Sequence, residues 1–161
     1  MDQIKTDICV IGAGSGGLSV ASGAVQMGAS VVLIEGGKMG GDCLNYGCVP
    51  SKALLAAGKA AAAHRAGAAL GVEPDEPVID YAAAKDHVAA VVGVIEPHDS
   101  QERFEGLGVQ VIRDYARFVS PTEVEAGGKR ITARRFVVAT GSSPFVPPIP
   151  GLDAVPYLTN E

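Results

Sequence analysis

A chain of 161 residues with 47% hydrophobic and 19% charged side chains has the composition of one folded globular domain, not of a disordered segment. A formal net charge of −5 excludes a general nucleic-acid binder, because no cluster of Lys and Arg gathers the cations that would neutralise phosphates. No apolar run approaches the ~20 residues that a membrane-spanning helix needs, and a strand-like run starts within a few residues of Met1, so neither a membrane segment nor a signal peptide is expected.

Ile4 to Ile11 is a short apolar run rich in β-branched residues, the pattern of a buried parallel strand. The stretch GAGSGG follows, then LSVASGAVQMG with helical spacing, in which Leu18, Ala21, Val25 and Met27 are expected on the inner face. A second buried strand, SVVLIE, ends at Glu35, completing a βαβ unit. Cys9 lies inside the first strand and reads as a small buried hydrophobe.

The glycine stretch fits GxGxxG through Gly12, Gly14 and Gly17, with Ser15 and Gly16 between them. Such a motif alone is weak. Here it lies between a strand and a helix, and an acid ends the next strand about twenty residues on, which is the context of a dinucleotide site. Gly12 then allows the tight turn, Gly14 the approach of a pyrophosphate, and Gly17 close packing of helix on strand. The helix N-terminus faces the phosphates, and Glu35 accepts from the adenosine ribose hydroxyls.

The next block, GGDCLNYGCVPSKALL, places Cys43 and Cys48 with four residues between them. In a regular helix residues at that spacing have Cα atoms about 8.7 Å apart, whereas a disulfide wants roughly 4.4 to 6.8 Å. If the two bond, an irregular turn must separate them, and Asn45 and Gly47 tolerate one. Pro50 and Ser51 suit the opening of a helix that runs on to about residue 66, so Cys48 falls at a helix N-terminus, a setting that favours a reactive thiolate. Lys52 follows one helical turn later; an isolated lysine there is ordinarily solvated. The alternatives for the cysteine pair are a metal site and a structural bridge, but no second pair or His-x-x-x-His completes a zinc set. Three cysteines, an odd number, point to a reducing cytoplasmic setting in which a CxxxxC pair is catalytic rather than structural.

A Pro- and acid-rich connector, GVEPDEPVID, leads to a helix from Tyr81 to about Phe104, which Pro97 bends or breaks. From Val109 the period changes to two: VQVIRDYARFV, TEVEA, a GG turn, KRITA and RRFVVATG read as a β-meander returning to a last buried strand of the parallel sheet. That strand exits through Ala139-Thr140-Gly141-Ser142, either an ordinary turn or, because ligands of open α/β sheets bind beyond the carboxyl ends of strands, part of the dinucleotide site. His64, His87 and His98 read as surface or packing residues.

Taken in order, GxGxxG with Glu35, GGDCLNYGCVPSK, and the ATG turn before a Pro-rich segment resemble the N-terminal flavin domain of the class I pyridine nucleotide-disulfide oxidoreductases, among them dihydrolipoamide dehydrogenase, glutathione reductase and mercuric reductase. The resemblance implies an α/β fold of Rossmann type that binds FAD, with parallel sheet, flanking helices, a redox-disulfide helix over 43–66 and a β-meander within residues 1–150, and a linker from 151. It implies that Cys43 and Cys48 form a redox-active disulfide, with Cys48 beside the isoalloxazine as the charge-transfer thiolate, Cys43 as the interchange thiol and Lys52 near flavin N5. Ala116 would offer backbone contacts to adenine. Gly41 and Asp42 would adjoin the pyrophosphate, and Thr140, Gly141 and Ser142 would line the FAD.

Two departures from the family pattern follow. Asp42 stands where the family usually has Thr, and a carboxylate there repels phosphate unless it turns away or shares a cation. The family chain also continues with a nicotinamide domain that takes NAD(P)H, a later flavin-binding Gly-Asp, and a dimerisation domain carrying a His-Glu acid/base pair. The sequence is therefore expected to be the N-terminal portion of a longer, homodimeric oxidoreductase and inactive alone, the other reading being a bare dinucleotide-binding module. The SKALL ending of the cysteine block is common to dihydrolipoamide dehydrogenases and mercuric reductase-like proteins and differs from that of glutathione reductases. Because mercury reduction in the family needs a further C-terminal cysteine pair, the expectation is a dihydrolipoamide dehydrogenase-like enzyme acting on a lipoamide-like disulfide, with mercuric reductase-like and glutathione reductase-like enzymes as the alternatives.

Overall fold

The computed structural model describes residues 2–161. Its frame is one six-stranded sheet of order β3-β2-β1-β6-β5-β4, with β1 Asp2–Ile11, β2 Val31–Ile34, β3 Gln110–Ile112, β4 Arg117–Ser120, β5 Glu123–Ala126 and β6 Lys129–Val138. β3, β2, β1 and β6 are parallel neighbours, while β6-β5 and β5-β4 are antiparallel. The helix α1, Ser15–Gln26, makes the crossover from β1 to β2.

All four residues of β2 are buried, as expected of a strand covered on both faces. Val31 and Leu33 pack with Val10, Leu18, Ala21 and Phe104 on the α1 side, and Val32 and Ile34 pack with Cys9, Ile112, Val124 and Ile131 on the other. This alternation gives the sheet two apolar layers from strands that show no alternation in sequence. Leu18 and Ala21 are buried as expected and Val25 half-buried, but Met27 is 89% exposed. Its N–H closes the last turn of α1 on Gly23 and Ala24, so it caps the helix and turns away from the sheet.

KRITA and RRFVV are one strand, not two. β6 runs unbroken beside β1 from Asp2↔Lys129 to Ile11↔Val138, and its first half also pairs with β5, so the expected meander is the continuation of the main sheet. The expected helix over residues 43–66 is likewise two elements, α2 Gly41–Asn45 and α3 Cys48–Arg65, broken at Tyr46 and Gly47. The segment carrying Pro97 divides into α4 Tyr81–Ile95, a 3-10 turn Glu96–Asp99 and α5 Gln101–Gly106. α3 packs on α4, and of its residues only Ala53 is buried, so these helices stand clear of the sheet. Residues 139–161 contain a single 3-10 turn, Leu152–Ala154. Among the described residues no helix is long and apolar enough to cross a membrane.

Candidate functional site

The carboxyl ends of β1, β2 and β6 meet at one cleft of about 510 Å³. Gly12, Gly14, Glu35, Gly41, Asp42, Ala116, Thr140, Gly141 and Ser142 all line it. Its floor is backbone because side chains do not fit. A Cβ at Gly12, where φ is +105°, would lie 2.2 Å from the carbonyl oxygen of Ala139, and one at Gly41, where φ is +58°, would lie 2.7 Å from the Cα of Gly14. Gly17 packs tighter still, with its would-be Cβ 1.9 Å from the Gly12 oxygen, whereas Gly16 has open space. Gly14 bridges to Gly40, so two glycine turns lie side by side at the head of α1. The first helical bond of α1 runs from Leu18 N–H to Gly14 O at 2.9 Å. The amides of Ser15, Gly16 and Gly17 are thereby left without intrahelical acceptors at the positive end of the helix dipole. A backbone-walled cleft at a helix N-terminus fits the pyrophosphate of a dinucleotide.

Glu35 directly follows β2, one residue past the expected strand end, with its carboxylate fixed by two amides, Ala13 N–H and Gly37 N–H, each at 2.5 Å. Sequence reasoning missed its surroundings: Lys38, Tyr46, Asp114 and Tyr115 also line the cleft. The Tyr115 ring lies on the backbone of Gly36, where a Cβ would come within 2.6 Å of it, and Asp114 holds the turn by accepting from Gly127 and Tyr115 N–H at 2.6 and 2.8 Å. Only the strand order, which sets β3 beside β2, brings this turn to Glu35, so spacing in the chain offers no signal for it. Lys38 Nζ lies 5.1 Å from the centre of the Tyr46 ring.

Cys43, Cys48 and Lys52 stand outside this cleft, on α2, whose first residues Gly41 and Asp42 border it, and on α3, which starts two residues after the cleft-lining Tyr46. Cys43 is in α2 and half-buried; Cys48 is the first residue of α3 and exposed; both are free thiols. The break between them follows from α2 closing on itself, with the amides of Tyr46 and Gly47 both ending on Asp42 O at 2.8 and 2.6 Å. The Asn45 side chain donates to Met39 O and Gly41 O at 3.0 and 2.9 Å, tying the turn to the glycine segment before it. Hydrogen bonding with the Cys48 thiol, then burial, push the Cys43 thiol above its ordinary range, and the Lys52 ammonium acts the other way. Cys9 is fully buried and pushed up to about 12 by desolvation. His64, His87 and His98 are exposed, and no group of residues suited to a metal ion occurs among the described residues.

A mostly parallel sheet with a glycine-walled cleft beyond the carboxyl ends of its strands, and a pair of cysteines close by, has the form of a dinucleotide-binding fold. Comparison with known proteins agrees: residues 6–160 match the pyridine nucleotide-disulphide oxidoreductase family, and the chain belongs to it. It is 34% identical over 160 residues to mercuric reductase of Lysinibacillus sphaericus, covering 99% of this chain and 29% of that protein. It is 38% identical to mercuric reductase of Streptomyces lividans (96% and 34%), and 33% identical to dihydrolipoyl dehydrogenase 2, chloroplastic, of Arabidopsis thaliana (96% and 28%). The fold is also that of the HOCl-induced flavoprotein disulfide reductase RclA from Escherichia coli, solved as a Cu(II) complex, with a TM-score of 0.75 at 24% identity over 93% of this chain and 31% of that one. The chain thus spans about a third of the length of these relatives.

Proposed function

We propose that residues 1–150 are the FAD-binding domain of a flavin-dependent dithiol-disulfide oxidoreductase, with residues 151–161 leading toward a nicotinamide-binding domain in the whole protein. The observation that carries this is the placement of Cys43 and Cys48 on either side of a helix break, in a segment whose Gly41, Asp42 and Tyr46 line the glycine cleft. The glycine turns and the α1 N-terminus would hold the pyrophosphate, Glu35 and the Tyr115–Ala116 turn the adenosine, and the Thr140–Ser142 turn the middle of the cofactor.

The chemistry is thiol-disulfide exchange. A Cys43 thiolate attacks one sulfur of a disulfide substrate, forming a mixed disulfide and releasing the first substrate thiol. Cys48 then attacks the Cys43 sulfur, releasing the second thiol and leaving the two cysteines joined, oxidised by two electrons. When bound, FAD reduced by NAD(P)H in the whole enzyme would supply the two electrons that reopen that bond. In these roles the flavin would cover Cys48, the more exposed thiol here, and leave Cys43 to the substrate. Lys52 supplies positive charge beside the pair.

For the substrate, the SKALL segment suits a lipoamide-like disulfide and mercuric ion alike, and relatives 34–38% identical that are mercuric reductases favour mercuric ion. A homodimer and a cytoplasmic setting complete the proposal. Steady-state assay of the whole protein with NADH or NADPH against lipoamide, glutathione disulfide and mercuric ion, together with its visible spectrum, tests it. A colourless protein with no flavin, or a flavoprotein whose turnover is unchanged by Cys43→Ser, would overturn it.

A further inference from the structure

The cleft meant for a dianionic pyrophosphate is lined, among the described residues, by the carboxylates of Glu35, Asp42, Asp114 and Glu161 against the single ammonium of Lys38. Two of these acids are spoken for: Glu35 by the amides of Ala13 and Gly37, Asp114 by those of Gly127 and Tyr115. Asp42 differs, because it directly follows Gly41, the residue packed on Gly14 of the phosphate turn. Its Oδ2 lies against Gly47, 2.6 Å from where a Cβ would be, and its Oδ1 accepts from the side-chain amide of Asn160 at 2.8 Å. That bond joins positions 118 residues apart and ties the segment after β6 to the first turn of α2.

We infer that Asp42 is a negative determinant of dinucleotide affinity and that Asn160 is a positioning residue that holds its carboxylate toward Gly47 and partly neutralises it. The inference rests on the cofactor reading given above. A free carboxylate beside Gly41 and Gly14 would share the phosphate seat with a like charge, and a unit charge there weakens binding by about fivefold at an effective separation of several ångströms in a wet cleft. With Asn160 donating to it, the charge is turned to the side of the seat that Gly47 leaves open. Gly47 is required for the same reason, since any side chain there takes the space into which the carboxylate is held.

The test is FAD affinity of the intact apoprotein, read by quenching of flavin fluorescence at low ionic strength and at about 1 M salt, where the Debye length is only ~3 Å. Asp42→Asn is expected to tighten FAD by about twofold at low salt, the part of the fivefold penalty that the turned carboxylate retains, with the gain shrinking at high salt. Asn160→Ala should weaken FAD by a similar factor in the wild-type background and have no effect in an Asp42→Ala background. Thermal melts without FAD check that each variant is folded; both positions are exposed, so their melting temperatures should stay close to wild type. Unchanged or weaker affinity in Asp42→Asn, or an Asn160→Ala effect that persists without Asp42, overturns the inference while leaving the cofactor reading intact. Absence of FAD binding by the wild type and by every variant overturns the cofactor reading, and the inference with it.

Discussion

The carboxylate of Glu35 accepts the amide of Ala13 at 2.5 Å, so the acid just after β2 braces the glycine turn that follows β1. Its second oxygen takes the amide of Gly37 at the same distance. Glu35→Ala should therefore cost stability as well as affinity. Losing two charge-assisted bonds on a half-buried group is expected to lower unfolding free energy by about 1–2 kcal/mol in a denaturant titration. An unchanged midpoint would show that the bracing contributes nothing.

Gly16 and Gly17 are neighbours with opposite expectations. Gly17→Ala puts a methyl carbon 1.9 Å from a backbone oxygen that cannot swing aside, so a loss of about 3 kcal/mol or more is expected, seen as a lower melting temperature or a failure to fold. Gly16→Ala meets nothing within 4 Å in the first turn of a helix. It should be neutral or stabilising by up to about 1 kcal/mol.

Thiol reactivity should divide the three cysteines. With iodoacetamide at neutral pH, Cys48 reacts first because it is exposed, then Cys43, which is half-buried and held up by its neighbour, while Cys9 reacts only in denaturant. Under mild oxidation Cys43 and Cys48 should pair. Peptide mass spectrometry reads both outcomes, and a dominant Cys9 bridge would contradict the assignment.

In the flavin-loaded whole protein, Cys43→Ser should leave a Cys48 thiolate against oxidised flavin and give a long-wavelength absorbance band. Cys48→Ser should abolish that band. The opposite pattern would mean that the exchanging and flavin-facing roles are reversed.

Asp7 offers a pH test. It accepts from Ser30 N–H at 3.0 Å, Ser30 Oγ at 2.8 Å and Arg134 at 3.0 Å, and the Ser30 amide first, then these partners, lower its carboxyl from 3.8 to about 2. A depressed folded value means that the native state binds fewer protons, so the stabilisation is present above pH 3.8 and fades as pH falls through about 2. Asp7→Asn should melt below wild type at pH 7, and the difference should close across that window. A constant gap from pH 7 to pH 2 would rule the ion out as its source.

The sequence disclosed what is local. β1, the glycine turn and β2 follow from a buried apolar run, the glycine spacing and a terminal acid, because each element there contacts its neighbour in the chain. The break between Cys43 and Cys48 was half legible: helix geometry and Gly47 allow for a turn if the two cysteines bond, but what makes it, the amides of Tyr46 and Gly47 both ending on Asp42 O, has no sequence signature. Met27 was misread because helical periodicity continues one residue past the point where the helix stops. What depends on strand order was hidden: Tyr115 on Gly36, Ala139 over Gly12, and above all Asn160 on Asp42, which no local pattern encodes.

The pairing of β1 with β6 also sets a timetable for synthesis. Ile11 meets Val138, and the Ala139 carbonyl that closes over Gly12 lies one residue further on. At about 5–20 residues per second, a ribosome needs roughly 6–25 s to travel from the first of these positions to the second. During that interval β1 has β2 as its parallel partner while its other edge stays unpaired, an open template for a second nascent chain. The dinucleotide cleft is therefore among the last features of the domain to be completed, although its glycine motif is among the first to emerge.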